Sequence, residues 1–358
     1  MAFGLSRRAV LATGVAAMLA GGRNPAGAVP ADPGSGRWRR GADLPYAVQE
    51  IYPALWRGTI AVAGGFRARA GPLIWPTTSA LLWDDGQWRA LADLPDGRHH
   101  GMLVALADAA GPLLAIGGFS SRPGALWQGR REVWRLDSPD GRWRPGPPLP
   151  SPQAESAAAA FPGLVVLAGG RMPAGAANAA YGDHADTGRT LVWRPGADGW
   201  TRAADMPIPR NSMAFAGLGG RLHVVGGRRS LASGIVNLAD HHAYDPATDR
   251  WTALAPLPAP RGGHAAAVLG GRLYVLGGEA FGPAPSVFAD HWSYDPQTDR
   301  WRAEPPMPEG RHGLGAVALA GRLHAIGGAR APGGEGTSAR HDIFQPEEEA
   351  RGESFPPR

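Results

Sequence analysis

The chain has 358 residues, 44% of them apolar, and a formal charge of +5 from 36 basic against 31 acidic side chains; that is enough for one large or two ordinary domains with a sizeable core. Gly and Pro number 53 and 35, about a quarter of the chain, a content that signals low complexity unless it recurs with a period. There is no Cys and no Lys, which excludes disulfides, cysteine-ligated zinc, iron–sulfur clusters, thiol nucleophiles, Schiff-base lysines and a phosphate-loop lysine.

In chain order, the first element is an address. Ser6-Arg7-Arg8 opens a basic patch, residues 9–20 are apolar, and Ala26-Gly27-Ala28 is a small-x-small cleavage pattern. The segment resembles a twin-arginine export signal, which implies delivery of a folded protein to a periplasmic or extracellular location. The apolar run is too short to span a bilayer, and no membrane span is expected in the mature protein. Removing residues 1–28 deletes Arg7, Arg8 and Arg23 and no acid, so the formal charge falls from +5 to +2. No basic stripe interleaved with aromatics follows, and no nucleic acid partner is expected. Residues 29–36 read as a linker.

From residue 37 the sequence is periodic, and a period of this length decides the fold. Six Gly pairs, Gly64-Gly65, Gly117-Gly118, Gly169-Gly170, Gly226-Gly227, Gly277-Gly278 and Gly327-Gly328, stand 53, 52, 57, 51 and 50 residues apart. Each ends a short apolar run such as Leu273-Tyr274-Val275-Leu276, a buried strand halted by a breaker. A second apolar run precedes it across a turn, as in Ala265-Ala266-Ala267-Val268-Leu269 before Gly270-Gly271, which is a hairpin signal. Downstream the pattern predicts a loop, an aromatic strand, a tight turn, a Trp strand and a Leu-Pro or Met-Pro. The clearest copies are His242-Ala243-Tyr244-Asp245-Pro246 with Trp251, and Trp292-Ser293-Tyr294-Asp295-Pro296 with Trp301; Trp88, Trp143 and Trp200 mark weaker ones.

Each unit is thus four short antiparallel strands, a to d, whose two apolar faces need stacked neighbours; radial closure of six copies supplies them. The Gly pair, the Tyr-Asp-Pro segment and the Trp at this spacing resemble kelch repeats. The resemblance covers residues 37–346 and implies an all-β, six-bladed kelch β-propeller. The sixth Gly pair is followed by His341-Asp342-Ile343-Phe344-Gln345-Pro346 with no Trp strand after it, whereas Trp38 and Leu44-Pro45 stand unpartnered at the other end. Residues 37–44 are therefore expected to close the last blade as its strand d, which removes free edges. Residues 347–358, opening with Glu347-Glu348-Glu349, are expected to be a flexible acidic tail.

On such a propeller the d-to-a junctions and b-to-c loops share one face, around the channel mouth, where binding residues are expected. Three residues after the Leu-Pro or Met-Pro stand Arg98, Arg210, Arg261 and Arg311, with Val48 and Gln153 in the remaining blades. Two residues further on stand Glu50, His100 and Glu155, against Ser212, Gly263 and Gly313. Glu50, His100 and Glu155, flanked by His99, could share a proton, act as acid and base, or hold a metal through O and N atoms. The alternative is that each is a solvated or hydrogen-bonded loop residue and that the arginines tie blades through carbonyls. With His312 added, these Glu, His, Arg and Gln residues form the expected ligand-binding set; no cofactor is expected, and the sequence commits to no metal site.

Other positions offer less. Asp183-His184-Ala185-Asp186 has metal-ligand residue types. Trp75 and Trp127 offer planes for stacking. Arg67, Arg69, Arg122, Arg171, Arg228 and Arg229 follow Gly pairs and predict a cationic mouth suited to an acidic ligand. Asp240-His241 and Asp290-His291, at matching positions of two blades, read as scaffold.

Kelch propellers serve as protein-binding modules, carbohydrate-active enzymes and oxidases, so architecture alone does not choose among them. Copper radical oxidases of the galactose oxidase type require a Cys cross-linked to Tyr, and the missing Cys excludes that activity. Gly278-Glu279-Ala280 resembles the motif of the bacterial sialic acid mutarotases, which place a catalytic Glu directly after a Gly pair. The resemblance implies an acidic-sugar mutarotase with Glu279 as base, working with an Arg or His of the mouth. Set against it is an exported, monomeric binding protein that takes a small acidic carbohydrate or a protein at the mouth.

Overall fold

The computed structural model describes residues 34–68, 74–107, 111–122, 125–282 and 284–347. The export segment, residues 29–33 of the linker and residues 348–358 of the tail lie outside the described residues.

Turn chemistry sets the strands. In the fifth blade Ala265–Leu269 pairs with Arg272–Leu276, and Leu269 stands opposite Arg272. That leaves Gly270 and Gly271, at φ 58° and 74°, as a two-residue turn. Positive φ at both central residues is the turn geometry that matches the twist of antiparallel strands. Arg57-Gly58, Gly219-Gly220 and Ala320-Gly321 repeat it. Strand b then pairs with His291–Asp295, and that strand with Arg300–Glu304.

Six four-stranded antiparallel sheets form in this way. Their inner strands are Ala54–Trp56, Met102–Ala105, Ala157–Phe161, Ala214–Leu218, Ala265–Leu269 and Gly315–Leu319. Each touches the next and the last touches the first, so the sheets are blades of a closed ring. In the sixth blade strand d comes from the other end of the chain: Gly36–Arg40 pairs with His341–Pro346, Trp38 opposite Phe344. This clasp is shorter than the sequence indicates. Beyond Arg40 the chain leaves the sheet toward the first blade, and Leu44 N–H donates to the Ala339 carbonyl at 2.9 Å.

The repeated Trp proves to be a staple between blades. The indole N–H of Trp88, Trp143, Trp200, Trp251 and Trp301 donates to the backbone carbonyl of Ala42, Ala92, Pro147, Ala204 and Ala255 in the preceding blade, at 2.8–3.0 Å. Trp38 supplies the sixth bond, to the Pro305 carbonyl at 2.9 Å. Apolar side chains fill the wedges between sheets; Tyr274 and Leu276 of the fifth blade, for example, pack in one cluster with Leu314, Leu323 and Phe344 of the sixth.

The b-to-c segments differ from expectation. In five blades they are hairpins rather than loops: Phe66–Ala68 with Ile74–Pro76, Phe119–Arg122 with Ala125–Gly129, Arg171–Pro173 with His184–Asp186, Arg228–Leu231 with Gly234–Asn237, and Glu279–Ala280 with Ser286–Val287. The second Gly of each pair redirects the chain so that it extends alongside the incoming d-to-a segment. Gly278 has φ 104°, and a Cβ there would lie 2.9 Å from His264 Cβ and 3.0 Å from the Gly262 carbonyl. The next residue, Glu279, exchanges backbone hydrogen bonds with Gly262. These strands are two to five residues long and show no clear alternation of apolar and polar positions, so periodicity does not announce them. Among the described residues no helix is long and apolar enough to cross a membrane.

Candidate functional site

The six positions read from the sequence as equivalent form the innermost ring of the hairpin face. Glu50, His100, Glu155, Ser212, Gly263 and Gly313 all have φ between 51° and 65°. Backbone N–H groups bond around the ring: Glu50 to Gly313 O, His100 to Glu50 O, Glu155 to His100 O, Gly263 to Ser212 O and Gly313 to Gly263 O, at 2.6–3.4 Å. The Ser212 hydroxyl lies 3.4 Å from Glu155 Oε2 across the remaining seam. A left-handed backbone suits Gly and costs other residues about 1 kcal/mol or more. Two blades use Gly. The first three carry Glu, His and Glu at that cost, which marks these side chains as more than filler.

The side chains converge as the sequence indicates and recruit others. His100 Nε2 lies 3.0 Å from Glu50 Oε2 and 3.6 Å from Glu155 Oε1. From the neighbouring sixth blade His312 Nδ1 lies 3.7 Å from Glu50 Oε1 and 3.1 Å from Glu279 Oε1. Glu279 also accepts from Arg228 Nη2 and from the Gly333 N–H. One polar chain therefore runs from Glu155 through His100, Glu50, His312 and Glu279 to Arg228. The small ring residues make room for it: a Cβ on Gly313 would lie 2.6 Å from Glu50 Oε1, and one on Gly263 would lie 2.8 Å from Arg228 Nη2.

Electrostatics fixes the protons. Burial by itself raises the Glu50 carboxyl, but His100, His312 and Arg228 outweigh it and hold it at about 2. Burial opposes charge on His100, yet the Glu50 and Glu155 carboxylates raise its pKa above the ordinary value. His99 moves well below its ordinary value through burial and the charge on His100. The two rings meet Nδ1 to Nδ1 at 2.6 Å, and His99 Nε2 faces the Leu126 carbonyl at 3.2 Å. A charged His100 thus donates from both nitrogens, to Glu50 and to neutral His99, and His99 donates onward to Leu126 O. Phe66 stacks on His99 at 3.9 Å, and Trp127 stands between Phe119 and Tyr181, so an aromatic wall backs this half of the mouth.

The arginines and Gln153 take a different place. Arg98, Arg210, Arg261 and Arg311 are buried. Arg98 donates to Gly117 O, Arg261 to Gly277 O and Arg311 to Gly327 O, each the carbonyl of the first Gly of a pair. Arg210 donates to Val224 O and Asp240 O. Gln153 fills the same role, with Nε2 donating to Gly169 O at 2.8 Å. Their donors are directed into the blades, which is the clasp weighed as the alternative to a ligand role. The sequence placed the arginines at the right repeat position, but a clasp and a ligand contact share that position.

The remaining candidates are also engaged. Asp183 accepts from the N–H groups of Ala179 and Ala180. His184 contacts Ala180 O and Asn178. Asp186 accepts from Asn211 and pairs with Arg171. Among the described residues no group of three or more His, Asp or Glu is arranged to hold a metal ion. Arg69 lies outside the described residues. The expected cationic mouth is in fact mixed, since Glu50, Glu155, Glu279 and Asp186 face Arg171, Arg228 and His100. The channel beneath is narrow, with Tyr52 and Phe215 stacked at 5.6 Å. Sequence reasoning did not single out Tyr52, Phe215 or Asn211.

The fold and site define a six-bladed β-propeller whose hairpin face surrounds a paired, carboxylate-rich mouth. Residues 104–328 match the family described as the KLHDC2/KLHL20/DRC7 Kelch-repeats domain, and the chain belongs to the kelch-repeat family. It is similar to Kelch-like protein 35 of Mus musculus, 28% identical over 69% of this chain and 38% of that protein. It is also similar to Kelch-like protein 33 of Homo sapiens, 34% identical over 59% of this chain and 38% of that protein, and to Beta-scruin of Limulus polyphemus, 31% identical over 46% and 18%. The chain thus spans well under half the length of these relatives.

Proposed function

We propose that this propeller is an exported protein-binding module whose partner docks on the hairpin face. The observation that carries the reading is the placement of exposed apolar surface. Among the described residues the large apolar side chains most exposed are Leu55, Trp75, Leu126, Leu231, Ile235 and Val236, and all but Leu55 sit on b-to-c hairpins. Single exposed apolar residues mean little, but a set gathered on one face is the form a protein contact takes. Leu231, Ile235 and Val236 share one hairpin. Cross-linking mass spectrometry on the full-length protein in its native host tests this. Partner cross-links are expected near residues 125–129 and 228–237 and are lost in the Leu231→Ser, Ile235→Ser, Val236→Ser variant. Cross-links confined to the opposite face, or untouched by the variant, refute it. Export rests on Arg7 and Arg8; the Arg7→Lys, Arg8→Lys variant is expected to stay in the cytoplasm, and an unchanged distribution defeats that part of the proposal.

Acidic-sugar mutarotation is the second reading. In its favour, Glu279 joins a continuous chain of carboxylates and imidazoles suited to moving protons. Both Glu279 oxygens are already occupied, by Arg228 and by Gly333 N–H, so a sugar hydroxyl would have to displace one of them. Anomer-exchange NMR with an acidic sugar decides. Acceleration that disappears in Glu279→Gln supports the enzyme, and no acceleration removes it.

A further inference from the structure

We propose a second site on this propeller, on the face opposite the mouth: a cleft at the seam between the last and first blades that binds a small zwitterion, with a carboxylate at one end and an ammonium at the other, as in an amino acid or a short peptide. The cleft has a volume of about 350 Å³ and is lined by Arg39, Trp83, Asp84, Asp85, Arg322 and Ile343, among others. That size lies at the lower end of small-molecule sites. It shares no residue with the axial mouth.

A shortened turn opens the cleft. In the fourth and fifth blades four residues join strands c and d, between the pairs Asp245 with Arg250 and Asp295 with Arg300. The last of the four is an Asp that reaches the preceding blade. Asp249 Oδ1 accepts from Ala204 N–H at 2.7 Å and from the Tyr244 hydroxyl at 2.8 Å. Asp299 Oδ1 accepts from Ala255 N–H at 2.9 Å and from the Tyr294 hydroxyl at 2.7 Å. In the first blade Asp84 pairs with Gln87, so only Asp85 and Gly86 join the strands, and Trp83 stands where those blades have Tyr. Gly86 comes directly before strand d, where the longer turns carry Asp249 and Asp299. The seam that Tyr and Asp close in the fourth and fifth blades is left open here.

The sixth blade faces this opening with two cations whose usual acids are missing. Trp38 opposite Phe344 and Trp301 opposite Tyr294 align it with the fifth. Arg272, which opens strand b of the fifth blade, pairs with Asp295 at 3.2 Å; its counterpart Arg322 meets the neutral Gln345, with Nε donating to Oε1 at 2.7 Å. Arg302, directly after the strand d Trp, pairs with Glu304 at 3.0 Å; its counterpart Arg39 has Gly41 at that place. Burial, His341 and these two charges keep the His324 imidazole beside them neutral. Glu347, the last described residue, is engaged by Arg37 at 3.9 Å and by the Ser35 carbonyl, four residues along the ladder from Arg39 and Ile343. Asp84, with Arg89 at 3.6 Å, and Asp85 bring the opposite charge from the first blade. Two guanidiniums take a carboxylate through charge-assisted bonds, and carboxylates accept from an ammonium. A ligand with an acid at one end and an amine at the other satisfies both walls. A dicarboxylate is repelled by the aspartates, and a diamine by the arginines.

Isothermal titration and saturation-transfer NMR on the full-length protein test this, with alanine, dialanine and trialanine as probes beside their N-acetyl and C-amide forms. Each zwitterion is expected to bind at least about tenfold more tightly than either blocked form. Arg39→Gln with Arg322→Gln is expected to abolish the cost of amidation, and Asp84→Asn with Asp85→Asn the cost of acetylation; Asn tolerates the left-handed backbone of Asp85, at φ 46°. Replacing Asp85-Gly86 by Pro-Ala-Thr-Asp, the turn of the fourth blade, is expected to close the seam and remove binding, with thermal unfolding showing all these variants folded. Tighter binding of the peptides identifies a peptide as source; equal binding identifies the free amino acid. Deleting residues 348–358 is expected to leave the affinities unchanged, and binding that appears only after the deletion means that the chain closes its own cleft, which overturns the proposal. No zwitterion binding by the wild type, a blocked form that binds as well as its parent, or binding unchanged in every variant overturns it too. The result is independent of protein docking, which depends on Leu231, Ile235 and Val236.

Discussion

His100 Nε2 lies 3.0 Å from Glu50 Oε2, joining the same ring position of two adjacent blades through an ion pair that is nearly removed from water. The folded protein raises the pKa of His100 above its ordinary value of 6.5, because two carboxylates outweigh burial. A raised folded pKa stabilises fully below the unfolded value and is lost as pH rises through the folded value. His100→Gln is therefore expected to cost most near pH 6 and progressively less at alkaline pH. Urea denaturation of both proteins from pH 5.5 to 9.5 measures the gap, and a gap independent of pH contradicts the assignment of charge to His100.

Arg311 is fully buried, donating to Gly327 O at 2.7 Å, Arg340 O at 2.9 Å and Asp342 Oδ2 at 2.7 Å. Replacing it with Met strands the Gly327 carbonyl, leaves the Arg340 carbonyl with the Gly327 N–H alone and leaves Asp342 with the Arg340 guanidinium. The expected loss is about 3 kcal/mol. Adding Asp342→Leu should recover part of it, because the buried charge then goes too. A double variant less stable than the Arg311→Met single would show that Asp342 has other work in the blade.

Trp38 tests the clasp. Trp38→Phe deletes the indole bond to Pro305 O while keeping an aromatic ring in place, and should cost about 1–2 kcal/mol. Trp38→Ala also removes packing on Phe344 and His291 and should cost about 3 kcal/mol. Since this strand alone closes the ring from the far end of the chain, the Ala variant should also expose the segment 34–47 to limited proteolysis. Equal protection in both variants would mean that the backbone pairing with His341–Pro346 suffices.

The architecture was readable because its determinants repeat. Gly pairs, turn glycines and a Trp stand at fixed intervals, and each serves a local backbone or packing need that recurs six times. Even the clasp follows, from a Trp without a blade and a blade without a Trp. The site was only partly readable. Glu50, His100 and Glu155 could be aligned through the repeat, but their convergence with Glu279, His312 and Arg228 depends on hairpins that no periodicity marks. The four arginines show the opposite failure: a basic residue beside a channel and a basic residue clasping a carbonyl occupy the same repeat position. The direction of the guanidinium is a property of packing, not of spacing.

In the two middle strands of their blades His223 Nδ1 lies 2.9 Å from His241 Nε2, and His324 Nδ1 lies 2.9 Å from His341 Nε2. His241 and His341 face the carbonyls of Ala255 and Ala42 through Nδ1, so Nε2 is left to accept from the partner ring, and the arrangement needs neutral imidazoles. Burial lowers His223 and His341 to about 4 and His241, His291 and His324 to about 3. The unfolded chain, with histidines near 6.5, then binds more protons than the folded one throughout the interval between. The stability these five histidines contribute is complete above about pH 6.5 and falls as pH drops toward their folded values, by up to about 1.4 kcal/mol per pH unit for each group. The protein should thus unfold on acidification well before its carboxylates are protonated. His241→Gln should reduce the steepness by about one proton. Urea midpoints measured from pH 7.5 to 4.5 check both statements, and a midpoint that stays flat over this range would show that the buried pairs accommodate protons without loss.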